Sequence, residues 1–221
     1  MAGDGDNCTV TNTFTNGTLV GGSQIGGFFG CTLEGGADIQ KSYFNGSLTA
    51  TYRGWVGGFI GLIDKANSEV TIENCVSIGD CQFTQDANGD PKKTGPFIAG
   101  NSAGNEPNAK VNFSNNNISN NSATMSHESD WPGKNPTTDD ENPVDYAQDM
   151  AAQALQTSAP YEGLGWDFDE VWTMDATSGY LYPTLKIFGS FPTSGVKDLQ
   201  NDVKATFVAA AADNVLTVAG G

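Results

Sequence analysis

Positive charge is what this sequence has least of. Its 221 residues include one arginine, Arg53, and one histidine, His127. Ten lysines and arginines face 26 aspartates and glutamates, for a formal net charge of −16. Nucleic-acid affinity comes largely from Lys and Arg set against phosphates, so DNA and RNA binding are excluded, as is attraction to anionic membranes. The acidity itself suits solubility in salty extracellular fluid. A lone histidine excludes His-dependent triads and zinc sites built on two histidines. His127 lies in the polar stretch Met125-Ser-His127-Glu-Ser-Asp130. A surface loop histidine is its plainer reading, although one His can still act as a general base. There is no nucleophile elbow, P-loop or HExxH.

Long hydrophobic runs are also missing. No stretch of about 18 apolar residues exists, which excludes a membrane-spanning helix. Met1 is followed by Ala-Gly-Asp-Gly-Asp, with neither a basic start nor an apolar core, so these residues do not read as a signal peptide. Repeats begin within the first ten residues, and the chain reads as a piece cut from a longer precursor. Charged residues make up only 16%, while 28 glycines and nine prolines punctuate the sequence. Such a composition predicts short strands, many turns and few long helices.

What is present is repetition. Ile25-Gly26-Gly27-Phe28-Phe29-Gly30 returns as Val56-Gly57-Gly58-Phe59-Ile60-Gly61, and frayed as Gly95-Pro96-Phe97-Ile98-Ala99. A second phrase precedes each: Val10-Thr-Asn12-Thr-Phe14, Ile39-Gln-Lys41-Ser-Tyr43, then Ile72-Glu-Asn74-Cys-Val76. A worn fourth copy runs Phe113, Asn115, Asn117, Asn120. The eighth positions, Gly17, Gly46, Gly79 and Asn120, are 29, 33 and 41 residues apart. Neither phrase buries its apolar side alone, so copies stacked along an axis would place Phe28, Phe59 and Phe97 over one another. The paired glycines supply either positive φ or close backbone approach. Asn12, Asn74 and Asn115 read either as an amide ladder, interrupted by Lys41, or as turn residues.

These residues carry a resemblance. Ile/Val-x-Asn-Cys/Thr-Tyr/Phe-x-x-Gly followed by Val-Gly-Gly-Phe-Ile-Gly is similar to the GLUG repeat, over about residues 7–100 with a worn copy to about 122. That family occurs in bacterial surface and secreted proteins, often adhesin-like, and in parts of some IgA-cleaving peptidases. The resemblance implies export and adhesion.

Beyond the repeats, residues 123–144 read as loop. Asp145–Gln156, rich in Ala, Gln, Met and Leu, predicts a helix, with Pro143 ahead of it and Pro160 after its end. The string Leu164-Gly-Trp166-Asp-Phe168 … Val171-Trp172 … Tyr182-Pro183-Thr-Leu185 resembles the segment that follows GLUG repeats. Physically, it predicts an aromatic cap over the open end of the core. A carbohydrate platform of Trp166 and Trp172 is the sharper alternative. Past Gly189 a linker leads to two strand-like runs, Val203–Val208 and Val215–Val218, similar to the start of bacterial surface-anchoring β-sandwiches.

Candidates for chemistry are sparse. Lyase chemistry on a β-helix would draw on Asp38, Lys41, Arg53 and Asp64, which do not recur at one stacked position. Glu73 falls in an outward polar column with Thr11, Gln40 and Ser114. Asp86-Ala-Asn88-Gly-Asp90 mimics the first half of a calcium loop, but Pro91 and Phe97 stand where Gly and Glu belong. An Asx-rich turn is its plainer reading. Four cysteines, Cys8, Cys31, Cys75 and Cys81, permit two disulfides, without zinc-knuckle spacing. Cys75 shares a column with Thr13, Ser42 and Asn116, and reads as a buried thiol. Sequons at Asn16 and Asn45 are of the kind such a composition makes by chance.

The sequence therefore predicts an all-β fold: a right-handed parallel β-helix of irregular, roughly 30-residue repeats with a small helix-containing C-terminal cap. The expected organisation is 1–122 solenoid, 123–190 loop, short helix and aromatic segment, and 191–221 linker and β segment. No catalytic, cofactor or metal residues are assigned. The expected function is a non-enzymatic, extracellular or cell-surface, adhesin-like protein that binds a host surface protein or glycan. A carbohydrate-active enzyme or binding module, and a passive spacer, are the alternatives.

Overall fold

The period of two within the repeated phrases sets the fold. In Ala37–Gln40, Ala37 and Ile39 are buried while Asp38 and Gln40 stay half-exposed, the signature of a strand with one dry face. A computed structural model describes residues 2–5, 7–32, 35–52, 54–63, 68–84, 92–101, 110–113, 116–126, 147–174 and 180–188. Arg53, Asp64, Asp86, Asn88, Asp90, Asn115, His127 and the whole 191–221 segment lie outside these residues.

Each coil turns through four strands, twice the number of repeated phrases. The first holds β2 (Cys8–Thr11), β3 (Phe14–Gly21), β4 (Ile25–Gly26) and β5 (Phe29–Thr32). It is entered through β1 (Ala2–Gly5), which pairs with β5. The second holds β6 (Ala37–Gln40), β7 (Tyr43–Ala50), β8 (Gly54–Gly57) and β9 (Ile60–Ile63). In the third, β10 (Glu69–Glu73) leads to β11 (Val76–Ser77) and β12 (Asp80–Phe83), which together replace β7, then β13 (Lys92–Gly95) and β14 (Ile98–Asn101). A partial fourth coil adds β15 (Lys110–Phe113) and β16 (Asn117–Asn120).

Equivalent strands stack in parallel into four sheets. Val10, Ile39, Ile72 and Phe113 share one register, as the first column of the phrase predicts. Phe14, Tyr43 and Val76 share the fifth, but the next residue in line is Ile118, not Asn117. The fourth copy thus holds one extra residue at its corner, which displaces the expected alignment. The displaced Asn117 turns its side chain into the corner. Its Oδ1 accepts the Cys75 N–H at 2.9 Å, and its Nδ2 donates to the Ile72 carbonyl at 2.9 Å.

Inside the coils, the phenylalanines of the glycine phrase form one continuous column. The Phe28 and Phe59 ring centroids are 4.8 Å apart, and those of Phe59 and Phe97 5.0 Å. The amide of Phe28 donates to the Phe59 carbonyl at 3.0 Å, and that of Phe59 to Phe97 at 2.9 Å, so rings and backbone keep the same rung spacing. Burying each such ring contributes roughly 1.5–3 kcal/mol.

The second glycine of the phrase exists because of the rung that follows it. A Cβ at Gly27 would collide with the Gly58 carbonyl oxygen, and one at Gly58 with that of Pro96 while lying 2.7 Å from Ser77 Oγ. Among the described residues no further copy of the phrase stacks on Pro96, so that position is released from glycine. Proline, lacking an N–H, then ends the ladder at this corner. Gly58→Ala is expected to cost roughly 1–3 kcal/mol by overpacking, whereas Gly163→Ala, with open space around its Cα, should be near neutral in the same chemical denaturation series.

The Asn column is a backbone device. Asn12, Lys41 and Asn74 have φ of 51°, 46° and 55°. Because Lys41 adopts the same left-handed corner without an amide, the repeated property is the conformation, which Asn tolerates better than most residues. Lys41→Asn should raise stability by about 0.5–1 kcal/mol, read as a higher unfolding midpoint.

The helix expected over Asp145–Gln156 is not formed. Ala147–Met150 is strand β17, laid parallel on β16 as a further rung. A single 3-10 turn follows at Ala154–Gln156, and the α-helix, α1, spans Ala159–Gly163 with Pro160 in its first turn. Intrinsic propensity is worth only tenths of a kcal/mol per residue, so an open ladder edge outweighs it. Pro160 therefore opens a helix instead of closing one.

Candidate functional site

The outer face at the corner between β2/β6/β10 and β3/β7/β11 is where the two halves of the molecule meet. Phe14, Tyr43, Val76 and Ile118 share one register and point away from the solenoid interior here, whereas Phe44, which follows Tyr43 along the strand, points in. They meet Leu155, Tyr161, Leu164, Trp166 and Trp172 in a second hydrophobic core. Phe14 and Tyr43 stack at 5.2 Å with rings nearly parallel at 7°, and Trp166 and Trp172 lie 4.5 Å apart.

Residues 151–174 and 180–188 are thus a strap along the flank and not a lid over the end. Its polar anchors touch successive rungs. Trp172 Nε1 donates to Asn12 Oδ1 at 3.4 Å in the first coil. Tyr43 Oη, in the second, donates to the Pro183 carbonyl at 2.7 Å. Trp166 Nε1 donates to the Asn74 carbonyl at 2.8 Å in the third. The short hairpin of β18 (Trp172–Thr173) and β19 (Thr184–Leu185) closes the strap. Burial raises Tyr43 well above the usual phenol range, with Tyr161, Tyr180 and Tyr182 adding to it.

Trp166 and Trp172 are 4% and 0% exposed, which removes them as a sugar platform. Their apolar faces are spent on each other and on Tyr43. Flanking apolar residues were the sequence signal for this.

None of the four cysteines is in a disulfide. Cys75 completes a column in which Thr13, Ser42 and Cys75 each donate to the carbonyl two residues back, at 3.1, 2.8 and 3.3 Å. Burial pushes the Cys75 thiol up to about 12 and raises Cys81 further. Both stay neutral in the fold, whereas unfolded thiols ionise from about pH 8.5. Their contribution is therefore complete below that pH and is lost as pH climbs towards the folded values, at up to about 1.4 kcal/mol per unit per thiol. Urea midpoints should fall above about pH 9, and Cys75→Ser should flatten the decline. A flat profile to pH 10.5 (roughly two units above the unfolded thiol value) would contradict these burials.

Of the candidate carboxylates, Asp38 and Glu73 lie among the described residues, on neighbouring outward columns. Asp38 lies on the open face of β6, hydrogen-bonded by Gln40 Nε2 at 3.1 and 3.2 Å, and Lys41 occupies the left-handed corner. Among the described residues no group of three or more His, Cys, Asp or Glu is placed to hold a metal ion.

That open face is the most regular polar surface described. Thr9, Asp38 and Thr71 stack in one outward column, and Thr11, Gln40 and Glu73 in the next. The second column is legible in the phrase itself. The first was missed, although strand alternation places it two residues upstream. Rungs repeat every ~4.8 Å, so the face is a rigid grid of hydroxyl, amide and carboxylate groups. Elsewhere, a cleft of about 250 Å³ lies between β16, β17 and α1, lined by residues including Asn116, Gln148, Met150, Pro160 and Leu164. It falls below the roughly 300–1,000 Å³ of most small-molecule sites.

No family model matches the sequence, and no curated protein matches it. A solved structure from Bacteroides ovatus, titled a "putative immunoglobulin A1 protease", is similar over 80% of this chain at 15% identity and a TM-score of 0.44. The match covers 57% of that protein, so this chain spans little more than half its length. At that identity and score the likeness carries no activity to this chain.

Proposed function

We propose that this protein is a non-enzymatic, adhesin-like bacterial surface or secreted protein whose β2/β6/β10 face binds a host glycan or surface protein. The observation that supports this best is the pair of outward columns, Thr9–Asp38–Thr71 and Thr11–Gln40–Glu73. Thr9, Thr11, Asp38 and Thr71 are short side chains on a hydrogen-bonded sheet, and Gln40 is held by its bonds to Asp38, which limits the conformational entropy lost on contact. A repeating polar ligand, such as an extended glycan, matches a surface that repeats at rung spacing. The resemblance of the two phrases to GLUG repeats agrees with this reading.

The test is a glycan and matrix-protein array, run with and without Ca²⁺ and followed by product analysis. Binding that is lost in a Gln40→Ala/Thr71→Ala variant, with the ligand recovered intact, is the expected result. Released oligosaccharides would instead make this a carbohydrate-active enzyme. No binding under any condition would leave a passive spacer.

A further inference from the structure

The extra residue of the fourth coil has a second effect. Thr13 donates its N–H to Ser42 Oγ at 3.2 Å, and two rungs on Cys75 donates its N–H to Asn117 Oδ1 at 2.9 Å. Asn117 thus takes the place in the corner that Ser42 takes earlier, and Asn116 is left exposed outside it. The next residue in the outward column of Phe14, Tyr43, Val76 and Ile118 is Gln148. The strap packs on the four apolar members, and the column turns polar at the glutamine. Asn117 pairs with Ala147, so Asn116 and Gln148 stand on adjacent rungs.

Both amides line the cleft of about 250 Å³ beside α1. Its other walls are apolar: Leu164 is 8% exposed, and Met150 and Pro160 are half-buried. No lining residue is charged, in a chain of net charge −16. Asp149, between Gln148 and Met150, is turned the other way and accepts a hydrogen bond from Ser119 Oγ at 2.7 Å. Gly163 also lines the cleft, and a Cβ built on it meets nothing within 4 Å.

We propose that this cleft binds one neutral 2-acetamido sugar residue at the end of a glycan. An acetamido group carries an N–H and a C=O on opposite sides, and a primary amide supplies both an acceptor and donors. Gln148 and Asn116 between them answer both groups. The acetyl methyl lies against Met150, Pro160 and Leu164, the mixture of apolar wall and few polar anchors typical of ligand sites. A plain hexose leaves that wall uncovered. A carboxylate, sulfate or ammonium finds no partner here, and burying an unpaired charge is costly. The volume admits one residue and not an extended chain, and the cleft shares no residue with the β2/β6/β10 face.

The experiment is saturation-transfer NMR on the full chain with N-acetylglucosamine and N-acetylgalactosamine, and with glucose and galactose as controls. Transfer to an acetyl methyl, at about millimolar affinity for so small a ligand, is expected, with none to the plain hexoses. Gly163→Leu places a side chain in the cleft and suits the helix better than glycine. It should abolish the signal without lowering the thermal unfolding midpoint. Gln148→Leu should weaken binding about tenfold, the loss of a hydrogen bond. Gln153→Leu, the same exchange on the strap outside the cleft, should leave binding as in the parent. No transfer from either acetamido sugar, equal transfer to the plain hexoses, a Gly163→Leu protein that binds as the parent does, or a preference for an acetylated dipeptide amide over both sugars would each overturn the proposal.

Discussion

Phe59→Ala is expected to destabilise this protein by about 3–5 kcal/mol, the range for deleting a buried ring from a well-packed core. Phe59 is the middle ring of three, fully buried, with Phe28 at 4.8 Å and Phe97 at 5.0 Å. Removing it opens a cavity between two rungs held apart by the parallel ladder, which cannot collapse without breaking amide bonds. Domains of this size have only about 5–15 kcal/mol of net stability, so the variant should unfold at far lower urea. Phe28→Ala and Phe97→Ala should cost less, because those rings are 6% and 4% exposed and each has one of the other two as neighbour. Equal losses at all three positions would show that the rings do not form one column.

Trp172→Ala should cost a similar ~3–5 kcal/mol, with a different signature. Among the described residues Trp172 is the largest fully buried side chain, packed on Trp166, Tyr43 and Phe14 at 4.5, 6.1 and 6.4 Å. Its loss releases the strap from the first and second coils, while the interior column of phenylalanines is untouched. Near-ultraviolet dichroism and protease resistance within 151–188 should fall before the strand signal does. A binding platform would behave in the opposite way, with ligand affinity lost and the melting temperature preserved.

Much of this architecture is written in the repeats. The apolar column of Ile39 and Ile72, the glycine phrase and its phenylalanines give strand, corner and core directly, since each position must satisfy the same neighbours on every rung. The strap is written less openly. Phe14, Tyr43 and Val76 recur like core residues, but periodicity alone does not say whether a column faces inward or lies beneath another segment. Ala147–Met150 reads as helix by propensity, and only the open edge of β16, 27 residues upstream of Ala147, makes it a strand. The extra residue that moves Ile118 into register is invisible in a degenerate copy. The polar grid of Thr9, Asp38 and Thr71 was obscured because outward positions vary in identity while keeping their chemistry.

One spectrum tests the stacking most directly. With the phenylalanines selectively labelled, proton–proton transfer between rings should link Phe28 to Phe59 and Phe59 to Phe97, and should give no direct link between Phe28 and Phe97. Rings that show no mutual transfer, or a Phe28–Phe97 contact that bypasses Phe59, would contradict a solenoid built on these three coils.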